Sequence, residues 1–220
     1  MQRTPEPELM DDSRQAEAYA RADFSEPNAA FVRHFADRFP GFDSGSIVDL
    51  GCGPGDIALR FARRYPRCEV IGVDGAGAML ALARQALERE PELAARVQFS
   101  KAMLPLESFQ RQDAVVSNSL LHHLLDPAAL WTTVLAAGKP GAAVLVMDLA
   151  RPRDAAAARD IVDCYAGVEP EVLREDFLNS LLAAFDPAEV EEQLCAAGLD
   201  MLRLAVVSDR HWLVSGQLPA

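Results

Sequence analysis

The apolar positions of this chain fall into two rhythms. Five short stretches are rich in apolar residues: 47–50, 68–73, 97–100, 113–117 and 142–147. Runs of this length and continuity read as strands of a parallel sheet, buried on both faces. Between them, apolar residues recur once per helical turn. Phe31, Phe35 and Phe39 make one stripe of a helix predicted over 28–39, which Pro40 and Gly41 end. Ile57, Phe61 and Tyr65 make a second over 56–65, and a third is expected over 78–88. Asp126 followed by Pro127 opens a fourth, with an N-cap oxygen and then a residue that needs no N–H donor. It runs through Leu130, Trp131 and Leu135 to a Gly138-Lys139-Pro140-Gly141 turn.

Further along, residues 153–183 read as two helical pieces broken near Gly167 and Pro170, with Ile161, Tyr165, Phe177, Leu181 and Phe185 as cover for the sheet or a site. Asp186-Pro187 begins another helix, stopped by Gly198. Two last strands, 199–207 and 212–217, are joined by only four residues, so they form an antiparallel pair. Ahead of the first strand, residues 1–12 are acidic and proline-bearing, and 13–22 read as a short helix. Strands alternating with helices predict an α/β protein.

One junction stands out: Val48-Asp49-Leu50-Gly51-Cys52-Gly53-Pro54-Gly55-Asp56. It reads as strand, glycine turn, helix. The glycines let the backbone turn sharply and let a ligand approach the main chain. The helix beyond points free N–H groups and a positive dipole end at that ligand. A dinucleotide loop would read G-x-G-x-x-G, but its third glycine falls on Asp56, an acid that repels a pyrophosphate. Asp49 adds a second acid. Acids at the loop suit a cationic ligand, an ammonium or a sulfonium. Strand 68–73 ends in Asp74, about 20 residues beyond the loop, the distance expected of a carboxylate that holds ribose hydroxyls.

The D-x-G-x-G-x-G loop with Asp74 resembles the cofactor site of the class I S-adenosylmethionine (SAM)-dependent methyltransferases. The block Asn118-Ser119-Leu120-Leu121-His122-His123-Leu124, with Asp126-Pro127 behind it, is similar to the fourth motif of their small-molecule, ubiquinone/menaquinone-biosynthesis-like branch. The resemblance covers about residues 45–217. It implies a Rossmann-like, seven-stranded, mostly parallel sheet with an antiparallel last strand and helices on both faces. It further implies SAM as cofactor and, as its contacts, Asp49, Gly51, Cys52, Gly53, Gly55, Asp74, Gly75, Met79, Ala102, Met103, Asn118 and Ser119. Relatives carry an acid where this chain has Lys101, and lysine cannot accept a hydrogen bond. Either backbone atoms of Ala102 and Met103 read the adenine, or the motif's register here is shifted by one residue. Residues 1–44 are expected to cap the site, with Tyr19, Asp23 and Phe24 touching the acceptor, and residues 45–220 to form the cofactor domain.

Composition narrows the partners. A 220-residue chain, half hydrophobic and one quarter charged, is an ordinary single domain. A net charge of −12 with no basic run argues against nucleic acid and against anionic lipid, leaving a small-molecule acceptor. No apolar stretch is long enough to span a membrane, and a cytoplasmic protein is expected. The four scattered cysteines form no C-x-x-C pair, and no histidine pair has metal-ligand spacing, so no metal site is expected. A monomer and a homodimer both stay open.

Methyl transfer to a hydroxyl or thiol is helped by a general base. His123 and then His122, just past the fourth strand, are the candidates, and on a helix at most one would face the substrate. In the alternative they only pack and hydrogen-bond, with Asp126 in reach. Asp148 and Arg151, at the end of the fifth strand, would position a polar acceptor or pair with each other. Two other functions stay open: a regulatory module that binds SAM without turnover, and a nicotinamide-dependent oxidoreductase.

Overall fold

The computed structural model describes residues 1–5, 11, 16–17, 19, 24–106 and 109–220. Seven strands form one sheet. They are β1 (Ser44–Leu50), β2 (Arg67–Asp74), β3 (Val97–Lys101), β4 (Gln112–Asn118), β5 (Gly138–Leu149), β6 (Arg203–Val206) and β7 (His211–Gln217). Their spatial order is β3-β2-β1-β4-β5-β7-β6. All neighbours pair in parallel except β7, which runs antiparallel to β5 and β6.

Each central strand feeds two cores, and side-chain alternation decides which residue goes where. In β1, Ile47 faces one core while Val48 and Leu50 face the other. In β5, Ala143, Leu145 and Met147 alternate with Ala142, Val144 and Val146 in the same way. This is why the strands are near-continuous apolar runs in the sequence. The first face is covered by α1 (Ser25–Arg38) and α2 (Asp56–Arg64), with the C-terminal part of α3 (Gly77–Glu88) packed alongside. Phe31, Phe35 and Phe61 are fully buried there, and Phe35 meets Phe61 edge to face at 5.1 Å. Truncating such a phenylalanine costs about 3–5 kcal/mol. The second face is covered by α4 (Ala128–Ala137) and α7 (Pro187–Ala196), through Leu130, Trp131, Val134, Val190 and Leu194. Helices α5 (Ala155–Ala166) and α6 (Glu171–Ala183) form a satellite cluster around Leu149, Val162 and Leu181. Among the described residues, no helix is long and apolar enough to cross a membrane.

Two boundaries differ from expectation. The predicted turn at 138–141 is the first part of β5: Gly138 pairs with Gln112, and the Gly141 amide is held by the Leu218 carbonyl. Pairing on both sides overrides the Gly-Pro-Gly signal, and the misfit appears as a register shift between Gln112 and Ala114. Of the last two strands, β6 is shorter than the expected 199–207, while β7 begins one residue before the expected 212–217 and inserts between β5 and β6.

The sheet grows from β1 towards β3 on one side and from β4 towards β6 on the other. The loops after β1 and β4 therefore leave in opposite directions and open a crevice at the carboxyl ends of the strands.

Candidate active site

A cavity of about 1210 Å³ fills that crevice. Pockets for one small ligand measure roughly 300–1,000 Å³, so this one has room for two molecules. Its floor is the loop after β1, one wall is the end of β2, and the other is the segment after β4.

The three loop glycines have different reasons to be glycine. All three have positive φ, but a methyl at Gly53 would meet nothing within 4 Å and project into the open pocket. A methyl at Gly55 would lie 2.7 Å from the Phe99 ring and 2.9 Å from Ala83, so this glycine seats α2 against its neighbours. Gly51 and Gly53 line the cavity and Gly55 does not, which corrects the expectation that all three approach a ligand. Cys52 lines the cavity as a buried thiol, pushed well above its ordinary pKa by burial and by Asp49 and Asp74.

Asp74 ends β2 with its carboxylate under the loop. One oxygen accepts from the Gly53 amide at 2.8 Å and the other from the Ala76 amide at 2.7 Å. Burial raises its pKa, and these two amides oppose the shift. Each oxygen keeps a lone pair for a hydroxyl donor. Gly75, Met79, Ala102 and Met103 continue this wall. The Ala102 amide, expected to read an adenine, already donates to the Asp74 carbonyl at 3.0 Å. Lys101 points away towards Asp11, 3.7 Å from its carboxylate, an exposed pair of little energetic weight.

Asp49 lies behind the loop, 1% exposed, and does not line the cavity. Its Oδ2 has no hydrogen-bond partner. Burial, then Asp74 and Asp56, push its carboxyl up to about 8, with only the Ala58 amide pulling the other way. Asp56 is committed elsewhere: it accepts from Asn28 of α1 at 2.9 Å and from Arg60 at 2.6 Å.

Across the crevice, β4 ends at Asn118, and Ser119 follows at positive φ, its amide held by the Met147 carbonyl. Both line the cavity, and Asn118 Oδ1 is buried without a partner. The next residues, Leu121–His123, form a single 3₁₀ turn rather than an α-helix. That turn separates the two histidines. His123 lines the cavity; His122 is buried, 3% exposed, and does not. His122 Nδ1 lies 2.6 Å from Asp148 Oδ1, and since a carboxylate only accepts, Nδ1 carries the proton. The His122 amide also donates to Asp148, at 3.2 Å. Burial pushes the Asp148 carboxyl up, but His122 and the Leu149 amide outweigh it and hold it below its ordinary range. Two expectations are corrected. The partner of His122 is Asp148, not Asp126, which caps α4 through the Ala128 amide. Asp148, 1% exposed, supports the loop instead of touching an acceptor. The His123 ring packs on the His122 ring, centroids 4.0 Å apart.

Arg151 is also outside the cavity. It donates to Glu189 at 2.7 Å, so it pairs neither with an acceptor nor with Asp148. Tyr19 and Phe24, rings 4.8 Å apart, close the near side of the pocket. Burial, with Asp148 and Asp74 nearby, pushes the Tyr19 phenol up to about 12, so it stays a hydroxyl at neutral pH. Asp23 and most of the predicted helix 13–22 lie outside the described residues. Sequence reasoning missed Arg3, Asp11 and Asn28, which reach the site's walls from the N-terminal side; no periodicity or motif marks them.

The donor set fits SAM. There is an open cradle at Gly53, a carboxylate placed for vicinal hydroxyls at Asp74, an apolar slot beside Met79, and an unpaired buried oxygen at Asn118. Residues 47–142 match a family model described as a methyltransferase domain. Over 131 residues the chain is 31% identical to a trans-aconitate 2-methyltransferase of Azoarcus sp., covering 60% of this chain and 49% of that protein. Over 125 residues it is 38% identical to a ubiquinone biosynthesis O-methyltransferase of Alkalilimnicola ehrlichii, 56% of this chain and 49% of that protein. The chain thus spans about half the length of these curated relatives. A phosphoethanolamine N-methyltransferase 2 of Haemonchus contortus, solved with SAM, superposes with a TM-score of 0.72 at 17% identity, over 94% of this chain and 57% of that one. A SAM dependent methyltransferase from Aquifex aeolicus superposes with a TM-score of 0.66 at 15% identity, over 94% and 98%. At such identities the likeness is one of fold, and it agrees with the strand order. Residues 47–142 thus carry a methyltransferase domain, on the fold of SAM-dependent methyltransferases of known structure.

Proposed function

We propose that the protein methylates a small-molecule acceptor and that His123 is its general base. The observation that carries this is the meeting of Gly51, Gly53, Asp74, Asn118 and His123 in one cavity with room for two molecules. Asp74 holds the ribose hydroxyls, Gly53 gives the amino-acid end access to the main chain, and Met79 and Met103 flank the adenine. Asn118 Oδ1 faces the sulfonium end. Bound there, SAM supplies a methyl group already activated by its positive sulfur.

The chain's own residues then position, dehydrate and deprotonate. Tyr19 and Phe24 exclude water from the acceptor side, which strengthens every electrostatic contact within. His123 takes the proton from an acceptor hydroxyl or thiol. His122 is unsuited to that task, being buried with its Nδ1–H donating to Asp148; it backs the His123 ring instead. On this reading residues 1–44 are a cap and 45–220 the cofactor domain. A cytoplasmic setting is supported by four free cysteines, as expected of a reducing compartment.

The test is a panel of phenols, thiols, amines and carboxylates, read by formation of S-adenosylhomocysteine. At least one class should turn over. His123→Gln should lower kcat by about 10²–10⁴-fold with SAM affinity retained. Wild-type turnover in that variant would refute the assignment.

A further inference from the structure

We propose that Arg3 is a positioning residue that fixes the loop carrying His123. The proposal rests on the reading of His123 above. The guanidinium of Arg3 spans two segments that are far apart in sequence. Its Nη2 donates to the His122 carbonyl at 2.9 Å and to the Leu124 carbonyl at 3.0 Å, the two carbonyls that flank His123. Its Nε donates to the Ala183 carbonyl at 2.6 Å. Ala183 is the last residue of α6, so the cation also sits at the negative end of that helix and satisfies one of its free carbonyls. The guanidinium carbon lies 3.9 Å from the centroid of the Phe185 ring, and the Thr4 amide donates to the Leu182 carbonyl, a further tie between this segment and α6.

The loop is therefore held from two sides. From the sheet, Asp148 takes the amide and the ring proton of His122. From the N-terminal segment, Arg3 takes the carbonyls on either side of His123. A planar fork with five N–H donors can serve three carbonyls at once; the point charge of a lysine cannot match that geometry. Burial lowers the pKa of Arg3; of the charged groups near it, Glu189 and Asp148 oppose that shift and Arg151 adds to it. The same contact ties α6 to the loop, so a segment outside the sheet sets where the base stands.

The test uses the full chain with Arg3→Ala and Arg3→Lys, and needs no acceptor. Three readouts are taken: amide hydrogen exchange, the His123 imidazole proton signal (assigned with His123→Gln), and S-adenosylhomocysteine affinity. Exchange at 120–125 should rise by about tenfold in Arg3→Ala, the scale of one or two lost hydrogen bonds, while exchange at 51–55 stays put. The His123 signal should move, and millimolar guanidinium should restore part of both changes. Arg3→Lys should fall on the side of Arg3→Ala. Wild-type exchange at 120–125 and an unmoved His123 signal in both variants would overturn the proposal. If S-adenosylhomocysteine failed to bind even the wild type, the functional reading would fall, while exchange would still judge the role of Arg3.

Discussion

Replacing Asp49 with asparagine should make the cofactor-free protein less sensitive to alkali. Asp49 is almost completely buried, Oδ2 has no partner, and two further acids lie close by. Its carboxyl is pushed up to about 8, against roughly 4 in an unfolded chain. The sign follows from linkage. A group whose folded pKa is raised lends stability that is complete below the unfolded value and is lost as pH climbs through the folded one. Each pH unit inside that window costs about 1.4 kcal/mol. Between pH 6 and 8 the loss attributable to Asp49 is about 2 kcal/mol, slightly less than two full units because titration of the folded form begins near 8. Asparagine keeps the shape of a protonated carboxyl and has no such window. Urea denaturation of wild type and Asp49→Asn at pH 6, 7 and 8 isolates the effect, since titrations not coupled to Asp49 cancel in the difference. The stability gap should shift by about 2 kcal/mol in favour of the variant across that range. Parallel pH curves would refute the claim that the fold holds this carboxyl neutral.

Asp74→Ala should weaken SAM binding by about 1–3 kcal/mol, the loss of charged hydrogen bonds to two hydroxyls, and calorimetry reading an unchanged affinity would remove Asp74 from the site. His122→Ala takes the ring donor from the buried Asp148 carboxylate and leaves it only backbone amides, so it should cost about 1–3 kcal/mol of stability in chemical denaturation, more than a rim histidine would. Gly55→Ala and Gly53→Ala share a strained φ, but only the first meets Phe99 and Ala83; it should be the more destabilising by about 1–3 kcal/mol, while Gly53→Ala should show its loss chiefly in SAM affinity.

Much of this architecture is legible in the sequence because burial on both faces leaves no room for polar alternation. Strands β1, β2, β4 and β5 are apolar runs for that reason, and the glycine loop is marked by residues that little else can replace. Asp74 was readable from its distance to the loop. The choice between His122 and His123 was not: it turns on one 3₁₀ turn where a helix was expected, and on a carboxylate 26 residues away. Asp148 lies at the end of β5 and Arg151 two residues beyond that strand, yet each finds a partner on a different element, and only tertiary packing decides that. Arg3 carries no local signal at all. Its role exists only because α6 and the loop after β4 are brought side by side.

The central claim is that the crevice between β1 and β4 holds SAM. It is tested most directly by calorimetric titration of the wild-type protein with SAM, S-adenosylhomocysteine and NADH. The account predicts micromolar binding of the two sulfur compounds and no heat from NADH. Binding of NADH alone would contradict the reading of Asp56 and the glycine loop and return the chain to nicotinamide chemistry.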